Sequence, residues 1–213
     1  MNSPIIHTIH KIAYLHGMGG GSDSRIPSIL KTMLPPDIVL EIRTYDFDPE
    51  VAHKQITDWF ADYKPDLIIG ESLGSLHALR VANVPRILVS PALGAPKWMK
   101  FYSFLVLLPG LTALLDRIYK PREGDRQKLH FTRKTLKKYK IHGKLALSPE
   151  GGSIYAFFGK HDHYLKWGVV DIGKYKKLFG DSFSMYDGTH FMEEDYVKSM
   201  LYPYIIETLS EMQ

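Results

Sequence analysis

A serine placed between a strand and a helix, with a glycine two positions to either side, can present its hydroxyl for attack on a carbonyl carbon. The sequence contains this pattern at Gly70-Glu71-Ser72-Leu73-Gly74, after the apolar run 66–70 and before a helical stretch over 73–82. A serine hydroxyl is a poor nucleophile until a base removes its proton, and that base needs a carboxylate to fix its tautomer. Two segments at the ends of later apolar runs offer both groups, Gly159-Lys160-His161-Asp162-His163 and Asp187-Gly188-Thr189-His190. Ser72 is therefore the expected nucleophile, His190 the base and Asp162 the orienting acid, with Asp187 and Asp171 as competing acids. The segment His16-Gly17-Met18-Gly19-Gly20-Gly21 follows the first apolar run. An acyl-transfer site needs two backbone N–H donors for its oxyanion, and Met18 and Leu73 are the candidates.

Other chemistries fit fewer residues. Gly17 and Gly19 begin a dinucleotide-binding fingerprint, and Glu41 could serve as its ribose acid, but Ser22 stands where the helix-packing glycine is required. His161 and His163 flank Asp162 and could join His16 around a metal, yet the chain has no cysteine and no H-E-x-x-H segment. No metal site is expected. Ser75 reads as a small packing residue and Glu71 as a structural partner.

The elements that must position these residues alternate regularly. Strands are expected at 11–15, 38–42, 66–70, 86–90, 153–158 and 182–186, with helices near 24–33, 50–63, 73–82, 168–179 and 193–210. Such alternation predicts an α/β fold with a mostly parallel six-stranded sheet and helices on both faces. Each chemical segment then lies at a strand C-terminal end, where open parallel sheets bind ligands. The alternation breaks between Pro91 and Gly152, a separation too long for a plain crossover. We read 1–213 as one domain with a helical cap or lid insertion at 94–150. Trp98, Phe101 and Phe104, with Leu105 and Leu108, are candidates for its substrate-binding wall, or pack the cap onto the sheet. The apolar stretch 101–115 is interrupted by Pro109-Gly110 and is too short to span a bilayer.

Composition narrows the function further. The absence of cysteine excludes a disulfide framework and a cysteine nucleophile. Of 27 Lys and Arg, 11 lie in 117–144 against two acidic residues there, which leaves 16 basic and 21 acidic residues elsewhere. The basicity is thus local and accompanies no nucleic-acid-binding signature, so no nucleic-acid partner is expected. Arg133, Lys134, Lys137, Lys138 and Lys140 recur at helical spacing, as a solvated helix face does. A docking site for an anionic substrate group at this basic cap is the alternative. The first fifteen residues show no signal-peptide pattern, and a cytoplasmic location is the default expectation.

With His16-Gly17, Gly70-Glu71-Ser72-Leu73-Gly74, Gly159-Lys160-His161-Asp162 and Asp187-Gly188-Thr189-His190 in this order, the chain resembles the α/β-hydrolase superfamily, and within it the small bacterial serine esterases that begin almost at the oxyanion strand. The resemblance runs from about residue 11 to the end, with the cap matched least. It implies a serine esterase or thioesterase acting on a small-molecule ester, without a cofactor, on a six-stranded sheet lacking the family's first two strands. The sequence departs from the family in having no tryptophan shortly after the oxyanion glycines, and its cap carries no substrate motif. Acyl length, hydrolysis against transfer, and oligomeric state stay open. A non-catalytic ligand-binding member of the fold and a nucleotide-dependent oxidoreductase are the competing readings.

Overall fold

Runs of Ile, Val, Leu, Ala, Phe and Tyr bounded by turn residues form six strands in the computed structural model, which describes residues 9–121 and 123–212. Residues 1–8, including His7 and part of the segment read as lacking a signal peptide, lie outside the described residues, as do Arg122 of the basic block and Gln213. The strands are β1 (His10–Leu15), β2 (Ile38–Ile42), β3 (Leu67–Glu71), β4 (Arg86–Val89), β5 (Ile154–Gly159) and β6 (Phe183–Tyr186). They form one sheet in the order β2-β1-β3-β4-β5-β6, with every neighbouring pair parallel. The expected α/β class, six-strand count and parallel direction all hold. Since β2 and β3 lie on opposite sides of β1, the connections diverge there and open a crevice at the strand C-terminal ends.

Side chains alternate between the two faces, and both faces are covered. Ala13, Leu15, Ile68, Leu88, Ala156 and Phe158 point to one layer. Ile12, Tyr14, Ile69, Ile87, Val89 and Phe157 point to the other. On the first face lie α2 (Pro49–Tyr63), α3 (Gly74–Ala78) and α7 (Ile172–Phe179). The second is closed by α1 (Arg25–Lys31) and the C-terminal helices.

Three helical expectations change in detail. The helix over 73–82 is cut to the five residues of α3 because the buried Arg86 guanidinium gathers the carbonyls at its end: Nε donates to Ala78 O (3.1 Å) and Nη2 to Val81 O. Nη1 donates across to Gly151 O (2.6 Å). A cation at a helix C-terminus is favourable, and here it also binds the loop before β5. Helix α7 starts at Ile172, because Asp171 caps it by accepting from Lys174 N (2.8 Å). The segment 193–210 divides into α8 (Glu194–Tyr196), a π-helical turn (Val197–Leu201) and α9 (Tyr202–Ser210). Pro203, which donates no hydrogen bond and whose ring crowds the preceding turn, sits at the start of α9, so the wider turn precedes it.

Between β4 and β5 run α4 (Ala95–Leu105), α5 (Leu111–Ile118) and α6 (Arg133–Ala146). Gly110, at φ 80°, makes the left-handed turn that separates α4 from α5. Helix α6 buries Leu136, Tyr139, His142, Gly143 and Ala146 against α4, α2 and α3. Its opposite face exposes Arg133, Lys134, Lys137 and Lys140, while Lys138 pairs with Asp48 (2.6 Å) and Glu50 (2.9 Å). Among the described residues, no helix is long and apolar enough to cross a membrane.

Candidate active site

Ser72 sits at φ 49°, a left-handed conformation that is costly for a residue with a side chain. Hydrogen bonds hold it there: its N–H donates to Val89 O (2.9 Å), and its carbonyl accepts from Ala92 N (3.1 Å) and Ser75 N (3.2 Å). The flanking glycines are required by close packing. A Cβ on Gly74 would lie 2.2 Å from Leu15 O, and one on Gly70 would lie 2.9 Å from Ala78 Cβ. Ser75 turns inward and donates to Gly70 O (2.8 Å). Glu71 accepts from Tyr14 OH (2.6 Å), and burial beside that carboxylate holds the Tyr14 phenol well above its ordinary range.

The loops after β5 and β6 bring the other two groups to the serine. Asp162 and His190 are both buried. His190 Nδ1 lies 2.7 Å from Asp162 Oδ2, and His190 Nε2 lies 2.9 Å from Ser72 Oγ. An ionised carboxylate only accepts, so the ring proton belongs on Nδ1, leaving Nε2 to accept from the serine hydroxyl. The other Asp162 oxygen accepts from Tyr164 N (2.8 Å) at the start of a 3-10 turn (His163–Leu165), which fixes the carboxylate plane.

The remaining candidates separate cleanly. Asp187 is exposed and pairs with His161 Nε2 (3.0 Å), while Asp171 is spent on its helix cap. His163 packs its ring on Tyr164, 4.0 Å between centroids. Glu41 pairs with Arg43 (2.6 Å).

Met18 and Leu73 line one cleft of about 500 Å³ together with Ser72 and His190. Gly17 passes directly against Ser72, since a Cβ there would lie 3.2 Å from Ser72 Cβ. Trp98, Tyr102, Tyr119, Tyr164, Trp167 and Phe191 form the aromatic wall, with Trp98 Nε1 donating to Trp167 O (2.8 Å). Phe101 and Phe104 do not line it. Helical spacing sends Trp98, Met99 and Tyr102 inward and turns those two outward to solvent. None of the five basic α6 residues lines the cleft; Arg126, paired with Asp23, is the member of the basic block that does.

Sequence reasoning passes over two features. Gln127 is buried, and its Oε1 accepts from Gly19 N (3.1 Å) while its own N–H donates to Gly20 O (2.7 Å). Its Nε2 donates to Asp46 O (3.0 Å), which ties the glycine loop to the loop before α2. A lone glutamine carries no motif. The second is a row of buried rings beneath that loop: His16 stacks on Tyr45 at 4.1 Å, His77 lies 5.1 Å beyond, and His142 lies 4.5 Å from His77. Burial lowers His16 to about 4 and His77 well below its ordinary value. Burial and the Arg80 guanidinium, which donates to His142 Nδ1 (2.9 Å), take His142 to about 3.

This row has a measurable consequence. The unfolded chain takes up these protons near pH 6.5 while the folded chain resists them to about pH 4 or below. Stability is therefore complete above about pH 6.5 and falls as pH drops toward 4, by up to about 1.4 kcal/mol per pH unit for each histidine. Urea unfolding at about pH 7 and pH 5 checks this, and equal midpoints would refute it.

No family model matches the sequence, and no curated protein matches it. Solved structures do. A monoacylglycerol lipase from Paleococcus ferrophilus is similar with a TM-score of 0.64 at 15% identity, over 95% of this chain and 95% of that one. Est1E from Butyrivibrio proteoclasticus has a TM-score of 0.61 at 13% identity, over 97% and 90%. The bottromycin epimerase, solved in complex with bottromycin A2, has 0.60 at 11% identity, over 93% and 90%. A fold can host several reactions, and an epimerase stands among these neighbours, so the likeness speaks for architecture. Sheet order, strand direction and these superpositions together give this chain the α/β-hydrolase fold.

Proposed function

We propose that this protein is a serine hydrolase that cleaves a small carboxylic ester or thioester through an acyl-serine intermediate. The observation that carries the reading is the chain of hydrogen bonds from the buried Asp162 through the buried His190 to Ser72 in the cleft. Ser72 Oγ attacks the carbonyl carbon as its proton passes to His190 Nε2, and Asp162 stabilises the imidazolium. The tetrahedral oxyanion is held by the N–H groups of Met18 and Leu73. Collapse expels the alcohol or thiol, protonated by His190, and water then repeats the sequence on the acyl-serine. Besides water, the route draws on protein groups. Trp98, Tyr102 and Trp167 provide an apolar wall for the acyl or leaving group. In this proposal 1–213 is one catalytic domain, 94–150 its cap insertion, with α4 and α5 flanking the cleft and α6 acting as the crossover helix. The test is turnover of a panel of activated esters and thioesters alongside labelling by a fluorophosphonate probe; a panel without turnover and a protein without label would reject it.

The Gln127 clamp makes a separate expectation. Losing an aligned oxyanion donor costs about 10²–10³ in kcat. Loosening the loop that carries Met18, by Gln127→Ala, should cost about 10 to 100-fold in kcat with KM little changed, because the ground-state substrate does not use that donor fully. Steady-state kinetics on a soluble ester decides the point: a change confined to KM would assign Gln127 to substrate binding instead.

A further inference from the structure

An exposed apolar surface lies on α4, α5 and the turn between them. Phe101, Phe104, Leu107, Leu108, Leu114 and Ile118 are each between 50% and 62% exposed. A run of large apolar residues on adjoining elements, all facing water, marks a contact surface, whereas single exposed ones do not. The run continues to the mouth of the cleft. Phe101 packs its ring 6.0 Å from Trp98, and Trp98 lies 6.0 Å from Trp167, which is itself exposed and lines the cleft. On the α5 side, Ile118 precedes Tyr119, another cleft residue that is partly exposed.

Charge identifies the occupant. Exposed Lys97 and Lys100 precede this apolar run in the chain, and exposed Arg117 and Lys120 flank Ile118 at its C-terminal end. None of these four is ion-paired among the described residues. The acidic residue within 94–121, Asp116, is paired with His130 Nδ1 (2.5 Å) and accepts from Phe131 N (2.9 Å). Aliphatic and aromatic side chains on elements that also carry these four cations match a surface whose interior is hydrocarbon and whose headgroups are anionic.

We infer that the α4–α5 face docks this protein peripherally on an anionic lipid surface, with the cleft mouth at the contact. The apolar residues enter the acyl boundary while Lys97, Lys100, Arg117 and Lys120 meet the headgroups. An ester dissolved in the lipid would then reach Ser72 along the aromatic wall without crossing bulk water. Docking itself does not depend on the serine chemistry.

The experiment is co-sedimentation of the full chain with phosphatidylcholine vesicles and with phosphatidylcholine–phosphatidylglycerol vesicles at about 7:3. Hydrolysis of a soluble short-chain ester is followed in parallel. Binding is expected to the anionic vesicles alone and to weaken as salt rises from about 0.1 to 0.5 M. Leu107→Ser/Leu114→Ser and Lys100→Glu/Lys120→Glu should each weaken it by about thirtyfold or more, with soluble-ester turnover unchanged. Equal binding to both vesicles, no binding, or variants that bind like the native chain would overturn the inference. A native dimer by gel filtration that Leu107→Ser/Leu114→Ser converts to monomer would also overturn it, by assigning the face to a second copy of the chain. Vesicle binding by a protein that turns over nothing in the ester and thioester panel and takes no fluorophosphonate label would leave the docking surface standing and remove the serine-hydrolase reading.

Discussion

Ser72→Ala is expected to lower kcat on an activated short-chain ester by about 10⁴-fold or more and to abolish labelling by a fluorophosphonate probe. The size follows from the geometry. Among the described residues, the hydroxyl within hydrogen-bond reach of His190 Nε2 is that of Ser72, at 2.9 Å. The nearby Ser75 hydroxyl is buried and committed to Gly70 O, so it cannot substitute. The substitution removes one oxygen atom from a turn whose strain resides in the backbone, so the fold should persist. Intact mass before and after probe treatment checks the result: one adduct on the native chain, at Ser72, and none on the variant. An adduct on Ser72→Ala would move the nucleophile elsewhere and refute the proposed mechanism.

Asp162→Asn is expected to cost on the order of 10⁴-fold in kcat, whereas Asp187→Asn should leave kcat within about threefold of native. An amide at 162 can donate to His190 Nδ1 and thereby favour the tautomer with its proton on Nε2, which cannot accept from Ser72. The exchange also leaves the ring without a buried countercharge when it becomes cationic. Asp187 offers no such control, because its carboxylate faces solvent and its partners are His161 and, at 4.0 Å, Lys160. Steady-state kinetics of the two variants, with circular dichroism to verify folding, makes the comparison. The reverse ranking would transfer the acid role to Asp187.

Much of the architecture is legible along the chain. Each strand is a short apolar run with a turn residue at its end, and burial on both faces demands little more of a parallel strand than that. The elbow is legible too, since its two glycines are imposed by backbone contacts a few residues away and at the adjoining β1 end. Where the reading of elements loses accuracy, a distant residue intervenes. Arg86 truncates α3 by drawing off carbonyls, and Gly168, at φ 60°, breaks the stretch that was expected to start α7.

What the sequence by itself determined was the set of segments and their order: the Ser72 turn, the Asp162 loop and the His190 loop, each at the end of an apolar run, with a glycine-rich loop after the first strand. Local pattern suffices there because strand, turn and helix are set by neighbours in the chain. Only the tertiary structure places Asp162, and not Asp187, against His190. Both follow parallel strands, and the difference is that one carboxylate is buried under the His190 ring while the other points to solvent. Only packing, likewise, directed Trp98 into the cleft while turning Phe101 and Phe104 out. The Gln127 clamp spans 108 positions to Gly19, and the row from His16 to His142 joins four different elements and loops. Contacts of that range arise from the closing of the sheet and its helices around the site, and no local spacing records them.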